Sequence, residues 1–124
     1  MHITIQVAPI TKKNHQQIIK VGGRMMVIPS KQYKQYEADC MPYLKPEGIS
    51  YPVNVKALYF MPTRRRVDLV NLHEALCDAL VKYGVIEDDN SKIIASMDGS
   101  RVLYDKENPR TEIYIERVET PSES

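Results

Sequence analysis

No apolar run in this chain approaches the ~20 residues a helix needs to cross a bilayer, which argues against a membrane-spanning segment. The opening "MHITIQVAPITKK" also lacks the charged start and continuous apolar block of a secretory signal. A cytoplasmic protein is the expectation from both absences. Cysteine is scarce. Cys40 and Cys77 are far apart and form no CxxC pair, which argues against a zinc site. In a cytosolic chain both read as reduced thiols. An excess of one charge is missing too: the formal net charge is +1, too little for a tail that coats nucleic acid indiscriminately. There is no internal repeat, linker or low-complexity block.

What is present fits one globular core. The sequence has 124 residues, of which 43% are hydrophobic, and a domain of ~100–150 residues is the common size. We expect one domain over residues 1–119 and a disordered tail, "TPSES", over 120–124. Charge is clustered although its sum is small. Positive residues gather at Lys12 and Lys13 and at Arg64, Arg65 and Arg66, and negative ones at Glu87, Asp88 and Asp89. A protein that handles DNA through a local site carries this pattern, and so does an ordinary solvated surface of mixed sign.

Residues 2–8 alternate, with Ile3, Ile5 and Val7 on one side, and predict a strand. "IIKVGGRMMVIPS" predicts a hairpin about Gly22-Gly23, residues that accept positive φ at both turn positions. Ser30 is a candidate N-cap for a helix carrying Tyr33, Tyr36 and Cys40 at helical spacing, limited by Pro42 and Pro46. The tyrosines of residues 33–43 read as core and interface. "YPVNVKALYFMP" predicts the longest strand. Val53, Val55, Ala57 and Tyr59 form one face, and the other turns apolar at Leu58 and Phe60, predicting a strand that becomes fully covered. Leu69, Leu72, Leu76, Ala79, Leu80 and Tyr83 share one stripe at ~100° per residue and predict a helix over 69–83, with Gly84 at its C-terminal cap. "KIIASMDGSRVLYD" predicts two short strands about an Asp98-Gly99 tight turn. "PRTEIYIERVE" predicts a last strand with Ile113 and Ile115 inward. The expected fold class is therefore α+β, a mixed β-sheet with two helices on one face.

The segment "RRRVDLVNLHEALCDALVKYGVIEDDNSK" puts opposed charge at the two ends of one helix. Counting from Asp68, Asn71, Asp78 and Glu74 fall on one flank at about −60°, −80° and −120°. Asp78 and Lys82, four apart, suit an ion pair, and His73 lies away from this flank as a surface or interface residue. Asp68 is placed to cap the helix. Asp88-Asp89 suits a turn. A helix of ~15 residues is about 22 Å long, so Asp68 and Asp89 meet only if the chain doubles back along it or a second copy intervenes. Converging carboxylates without soft ligands suit Mg²⁺ or Mn²⁺, and three adjacent arginines suit phosphate.

The stretch resembles the signature of the RusA family of Holliday junction resolvases. The residues that carry the resemblance are Asp68, Asn71 and Leu72, then Asp78-Ala79-Leu80, Gly84 and Asp88-Asp89, with "PITKKN" near the start. The resemblance implies a RusA-like homodimer, encoded by bacteria, phages or prophages. It implies an Mg²⁺-dependent (or Mn²⁺-dependent) endonuclease that cuts four-way DNA junctions by paired nicks in recombination and repair. Asp68, Asp89 and Glu74 are then the candidate metal ligands and Asp88 a further catalytic candidate, with Asn71 steadying the helix start. Lys12, Lys13, Arg64, Arg65 and Arg66 are the candidate DNA contacts.

Two positions depart from the family pattern: Val70 stands at its second aspartate and Glu74 at its lysine. Either Glu74 supplies the displaced carboxylate, or the protein binds junctions without cutting them. An interaction protein that uses its charges on a protein partner is the third reading.

Overall fold

The computed structural model describes residues 1–11, 16–29 and 31–119, with the backbone alone for 16–21 and 26–29. The expectations for Lys12, Lys13, the Ser30 cap and the 120–124 tail lie outside them. In chain order the elements are β1 (His2–Ile5), β2 (Gln16–Val21), β3 (Arg24–Pro29), α1 (Lys31–Cys40), a 3-10 turn (Met41–Tyr43), β4 (Val53–Met61), α2 (Leu69–Lys82), β5 (Ile94–Ser96), β6 (Arg101–Tyr104) and β7 (Arg110–Arg117). Among the described residues no helix is long and apolar enough to cross a membrane.

Alternation along β4 organises the sheet. Val53, Val55, Ala57 and Tyr59 are buried and the residues between them are half-buried. β7 pairs antiparallel with β4, setting Ile115 against Val55, Ile113 against Ala57 and Thr111 against Tyr59. β1 pairs antiparallel with the far side of β7. The inward residues of β1, β4 and β7 meet Tyr33, Tyr36 and Cys40 of α1 and Leu72, Leu76, Ala79 and Leu80 of α2 in a single core. Burying each large aliphatic side chain there contributes about 1.5–3 kcal/mol. The mixed sheet with two helices is thus the one the alternation predicts. The hairpin about Gly22-Gly23 also forms, as a separate two-stranded sheet, β2 with β3.

Two details differ from expectation. β1 stops at Ile5, opposite Thr111, the second residue of its partner β7, which begins at Arg110. The two short strands about the Asp98-Gly99 turn form as expected, and the structure adds their partner: β5 and β6 run one after the other along the same edge of β4, both parallel to it. Side chains bridge the gap between them. The Asn54 amide donates to the Asp98 carbonyl at 3.2 Å, and its oxygen accepts from Ser96 Oγ at 2.6 Å and Asp98 N at 2.7 Å. Ser100 Oγ accepts from Ala57 N at 2.9 Å, in place of a strand carbonyl. These bonds hold the turn flat against β4, where a hairpin would have to leave it.

The second difference is that the outer face of β4 is not fully covered. Leu58 and Phe60 remain half-buried, and Phe60 is capped by the Arg110 guanidinium at 3.8 Å from its ring. Asp105 and Glu112 fix that guanidinium, at 2.9 and 2.7 Å. A stacked cation takes the position expected for a second apolar layer.

α2 ends in a two-bond cap. Val85 N donates to Leu80 O at 2.9 Å and Gly84 N to Val81 O at 3.1 Å, the pattern that needs a left-handed residue between. Gly84 supplies it with φ +75°, and a Cβ there would lie 3.3 Å from Pro46 Cβ. Gly84→Ala is expected to lower unfolding free energy by about 1–2 kcal/mol, read as a shifted urea midpoint at unchanged slope.

Candidate active site

Beyond Gly84 the chain pairs with the loop before β4. Gly48 N donates to Gly84 O, Ile49 N to Val85 O and Glu87 N to Ile49 O, at 2.9–3.1 Å. The chain therefore doubles back beside a loop strand, a parallel bridge of Ile49 with Ile86, and not beside α2 itself. The acidic turn that follows returns to the flank of the helix.

Asp88 organises that turn. Its Oδ1 accepts from Asp89 N at 2.7 Å and its Oδ2 from Asn90 Nδ2 at 3.1 Å. Asn90 in turn accepts from Lys92 N at 2.9 Å. With Asp88 committed, Asp89 is left exposed. It borders two grooves. One, of about 370 Å³, is lined by Val70, His73, Glu74 and Cys77 of α2 together with Asp89, Ile94, Ser96 and Met97. The other, between the helices, is lined by Tyr33, Lys34, Glu37, Asp78, Val81 and Lys82 with Asp89. The Cys77 thiol records the approach. Burial first, then the charges of Asp89 and Asp78, push its pKa up to about 12, which favours the thiol over the reactive thiolate.

Glu74 and Asp89 are thus brought into one groove. Asp68 is not: it caps α2, Oδ1 accepting from Val70 N at 3.1 Å, and lines neither groove, as is true of Asn71. Asp78 accepts from Tyr33 Oη at 3.4 Å. The expected Asp78–Lys82 pair is replaced by one between helices, Lys82 Nζ donating to Glu37 at 2.5 Å, because α1 offers a carboxylate across the groove. Arg64, Arg65 and Arg66 are exposed just before the helix. Arg64 lies over the Tyr104 ring at 4.2 Å. Among the described residues none of the three arginines has an ion-pair partner.

His73 departs most from expectation. It is half-buried, with Nδ1 2.6 Å from Tyr59 Oη and the two rings edge-on at 5.3 Å between centroids. The helical wheel carries this signal: His73 stands only ~20° beyond Leu80 at the border of the apolar stripe, facing the polar tip of the inward Tyr59.

The groove also tests the metal chemistry of the donors. Mg²⁺ takes oxygen ligands and is ordinarily held by one or two carboxylates with substrate phosphates and waters. Glu74 and Asp89 fit that demand in kind and number. No group of three or more His, Cys, Asp and Glu stands close enough among the described residues to enclose an ion with protein alone.

The structure thus combines an α+β fold, two carboxylates lining one groove, and three exposed arginines in the loop before the helix. The sequence matches the endodeoxyribonuclease RusA family over residues 6–116, and the chain belongs to that family. It is 30% identical over 86 residues to the crossover junction endodeoxyribonuclease RusA of Aquifex aeolicus (strain VF5). That alignment covers 66% of each protein, so the chain spans about two thirds of the length of this relative.

The environment of His73 makes stability depend on pH. Burial lowers its pKa below the ordinary 6.5, so on acidification the unfolded chain takes up the proton first. The stabilisation is complete above 6.5 and is lost as pH falls through the folded value. Urea midpoints measured from pH 8 downward are expected to converge between parent and His73→Gln as acid removes the parent's advantage.

Proposed function

We propose that this chain is a structure-selective endodeoxyribonuclease that hydrolyses phosphodiesters at four-way DNA junctions with the help of Mg²⁺ or Mn²⁺. The observation that carries the reading is the return of Asp89 to the groove wall that bears Glu74, in a chain of the RusA family. In the reaction a water oxygen bonds to phosphorus, one P–O ester bond breaks, and the leaving sugar oxygen gains a proton.

Glu74 and Asp89 would hold the ion, whose charge would activate water and offset the negative charge growing on the phosphate. Asp68 caps the helix that presents Glu74, and its second carboxylate oxygen remains available as a further oxygen donor. Asp88 fixes the turn that aims Asp89. Arg64, Arg65 and Arg66 bind phosphates on either side of the cut, and Lys12 and Lys13 extend that contact. Two opposed nicks in a two-fold junction require two grooves related by the same symmetry, which a homodimer supplies. Such an enzyme works where bacterial or phage DNA recombines and is repaired, in the cytoplasm. The domain that does this spans residues 1–119.

A second reading is favoured by one observation: Val70, 63% exposed at the groove, offers no oxygen there. In that reading the chain is a junction-binding protein that has lost the cut.

Cleavage of a synthetic four-way junction in Mg²⁺ or Mn²⁺ separates the two. Paired nicks are expected from the parent, and Asp89→Asn and Glu74→Gln are expected to cut at least about a hundredfold more slowly with junction binding retained. Binding by the parent without nicks in either metal assigns the binder. Replacing Arg65 and Arg66 together with alanine is expected to flatten the dependence of log affinity on log salt by about two. An unchanged slope removes the arginines from the DNA contact.

A further inference from the structure

The Tyr59–His73 pair has a consequence for the groove. Tyr59 is 1% exposed, and His73 is the only hydrogen-bond partner of its hydroxyl among the described residues. If His73 Nδ1 carried the hydrogen of a neutral ring, the phenol hydrogen would be buried without an acceptor, at a cost of about 1–3 kcal/mol. The phenol therefore donates, Nδ1 accepts, and the ring hydrogen sits on Nε2. A doubly protonated ring also keeps a hydrogen on Nε2. In either state that nitrogen is a donor, it has no partner among the described residues, and its residue lines the groove with Glu74 and Asp89.

A phosphate entering beside two carboxylates is repelled by them and needs donors to hold it. We propose that His73, oriented by Tyr59, donates its Nε2–H to a non-bridging oxygen of the DNA phosphate in this groove. Tyr59 is then a positioning residue, acting through His73 and not on DNA. This inference rests on the nuclease reading for its substrate, and it has a readout of its own.

The three histidines of the full chain are labelled with ¹⁵N, and His73 is assigned from the signal missing in His73→Gln. The free protein is expected to show the Nε2–H tautomer, with a mixture of tautomers in Tyr59→Phe. Adding a four-way junction, with Ca²⁺ in place of Mg²⁺ to slow cutting, is expected to move the Nε2 resonance. In cleavage, His73→Ala is expected to lose about a hundredfold in rate at unchanged junction affinity. His73→Gln, whose amide can still donate, is expected to stay within about tenfold of the parent, and Tyr59→Phe to lose about tenfold.

A structural role alone would lower Ala and Gln equally and track the loss of fold. The Tyr59→Phe/His73→Ala double variant removes the pair without leaving an orphan phenol, and its circular dichroism separates folding from donation. An Nδ1–H tautomer, an Nε2 resonance unmoved when DNA binds, or equal losses in His73→Ala and His73→Gln overturns the proposal. A moved Nε2 in a parent that never cuts supports the phosphate contact and sinks the nuclease reading alone. Cutting with an unmoved Nε2 sinks the phosphate contact alone.

Discussion

Val85 donates to Leu80 and Gly84 to Val81, and these two backbone hydrogen bonds turn the chain back at the end of α2. The acidic groove depends on that reversal. A straight exit from α2 would carry Asp88 and Asp89 away from Glu74 by the rise of the helix. The turn instead delivers Ile86 to a bridge with Ile49, and the residues after it come alongside the middle of α2. The backbone freedom of Gly84 and the burial of Val85 and Ile86 are therefore conditions for the site as much as for the core. The carboxylates themselves contribute little to this geometry, since Glu74 and Asp89 are both exposed.

The far wall of the groove depends on β4 in a similar way. Ile94 and Ser96 reach the groove because β5 is held parallel to the start of β4, and β5 is held there partly by the Asn54 side chain. β4 also places Tyr59, whose ring packs in the core and whose hydroxyl meets His73. One strand thus fixes both the wall opposite α2 and the orientation of a polar ring on α2. Strand alternation sends Tyr59 inward while the helix turns His73 to the edge of its apolar stripe. Neither residue alone would mark a site.

The elements with strong periodicity were legible in the sequence: the buried face of β4, the stripe of α2 and the Gly84 cap are all where the spacing predicts. The two short strands about Asp98-Gly99 are also where the turn pair places them, but which strand they join is decided by the side chains of Asn54 and Ser100, 46 residues apart in the chain. Lys82 was misassigned. Spacing along α2 favours Asp78, but only the packing of α1 brings Glu37 within 2.5 Å. Of the candidate site, the convergence of Glu74 with Asp89 needed the fold. Asp68, at the start of the helix, caps α2 and lines neither of the two grooves that Asp89 borders.

The two departures from the family pattern, Val70 and Glu74, both line the groove, while the residues that hold the fold, Leu72, Ala79, Leu80 and Gly84, keep to the pattern. Moving a carboxylate from position 70 to position 74 shifts it one helical turn, about 6 Å, along nearly the same side of α2. The number of oxygen donors is unchanged by the exchange. The charge is not: an aspartate becomes neutral and a lysine becomes a glutamate, leaving the groove one unit more negative than the pattern prescribes. Under the proposed function, a phosphate in such a groove would depend more on cations from outside α2, namely the proposed ion and the arginines before the helix, which have no ion-pair partner among the described residues, and on donors that bring no negative charge. His73 is such a donor within the groove itself, and the same helix that lost the lysine carries it, held in register by a buried tyrosine.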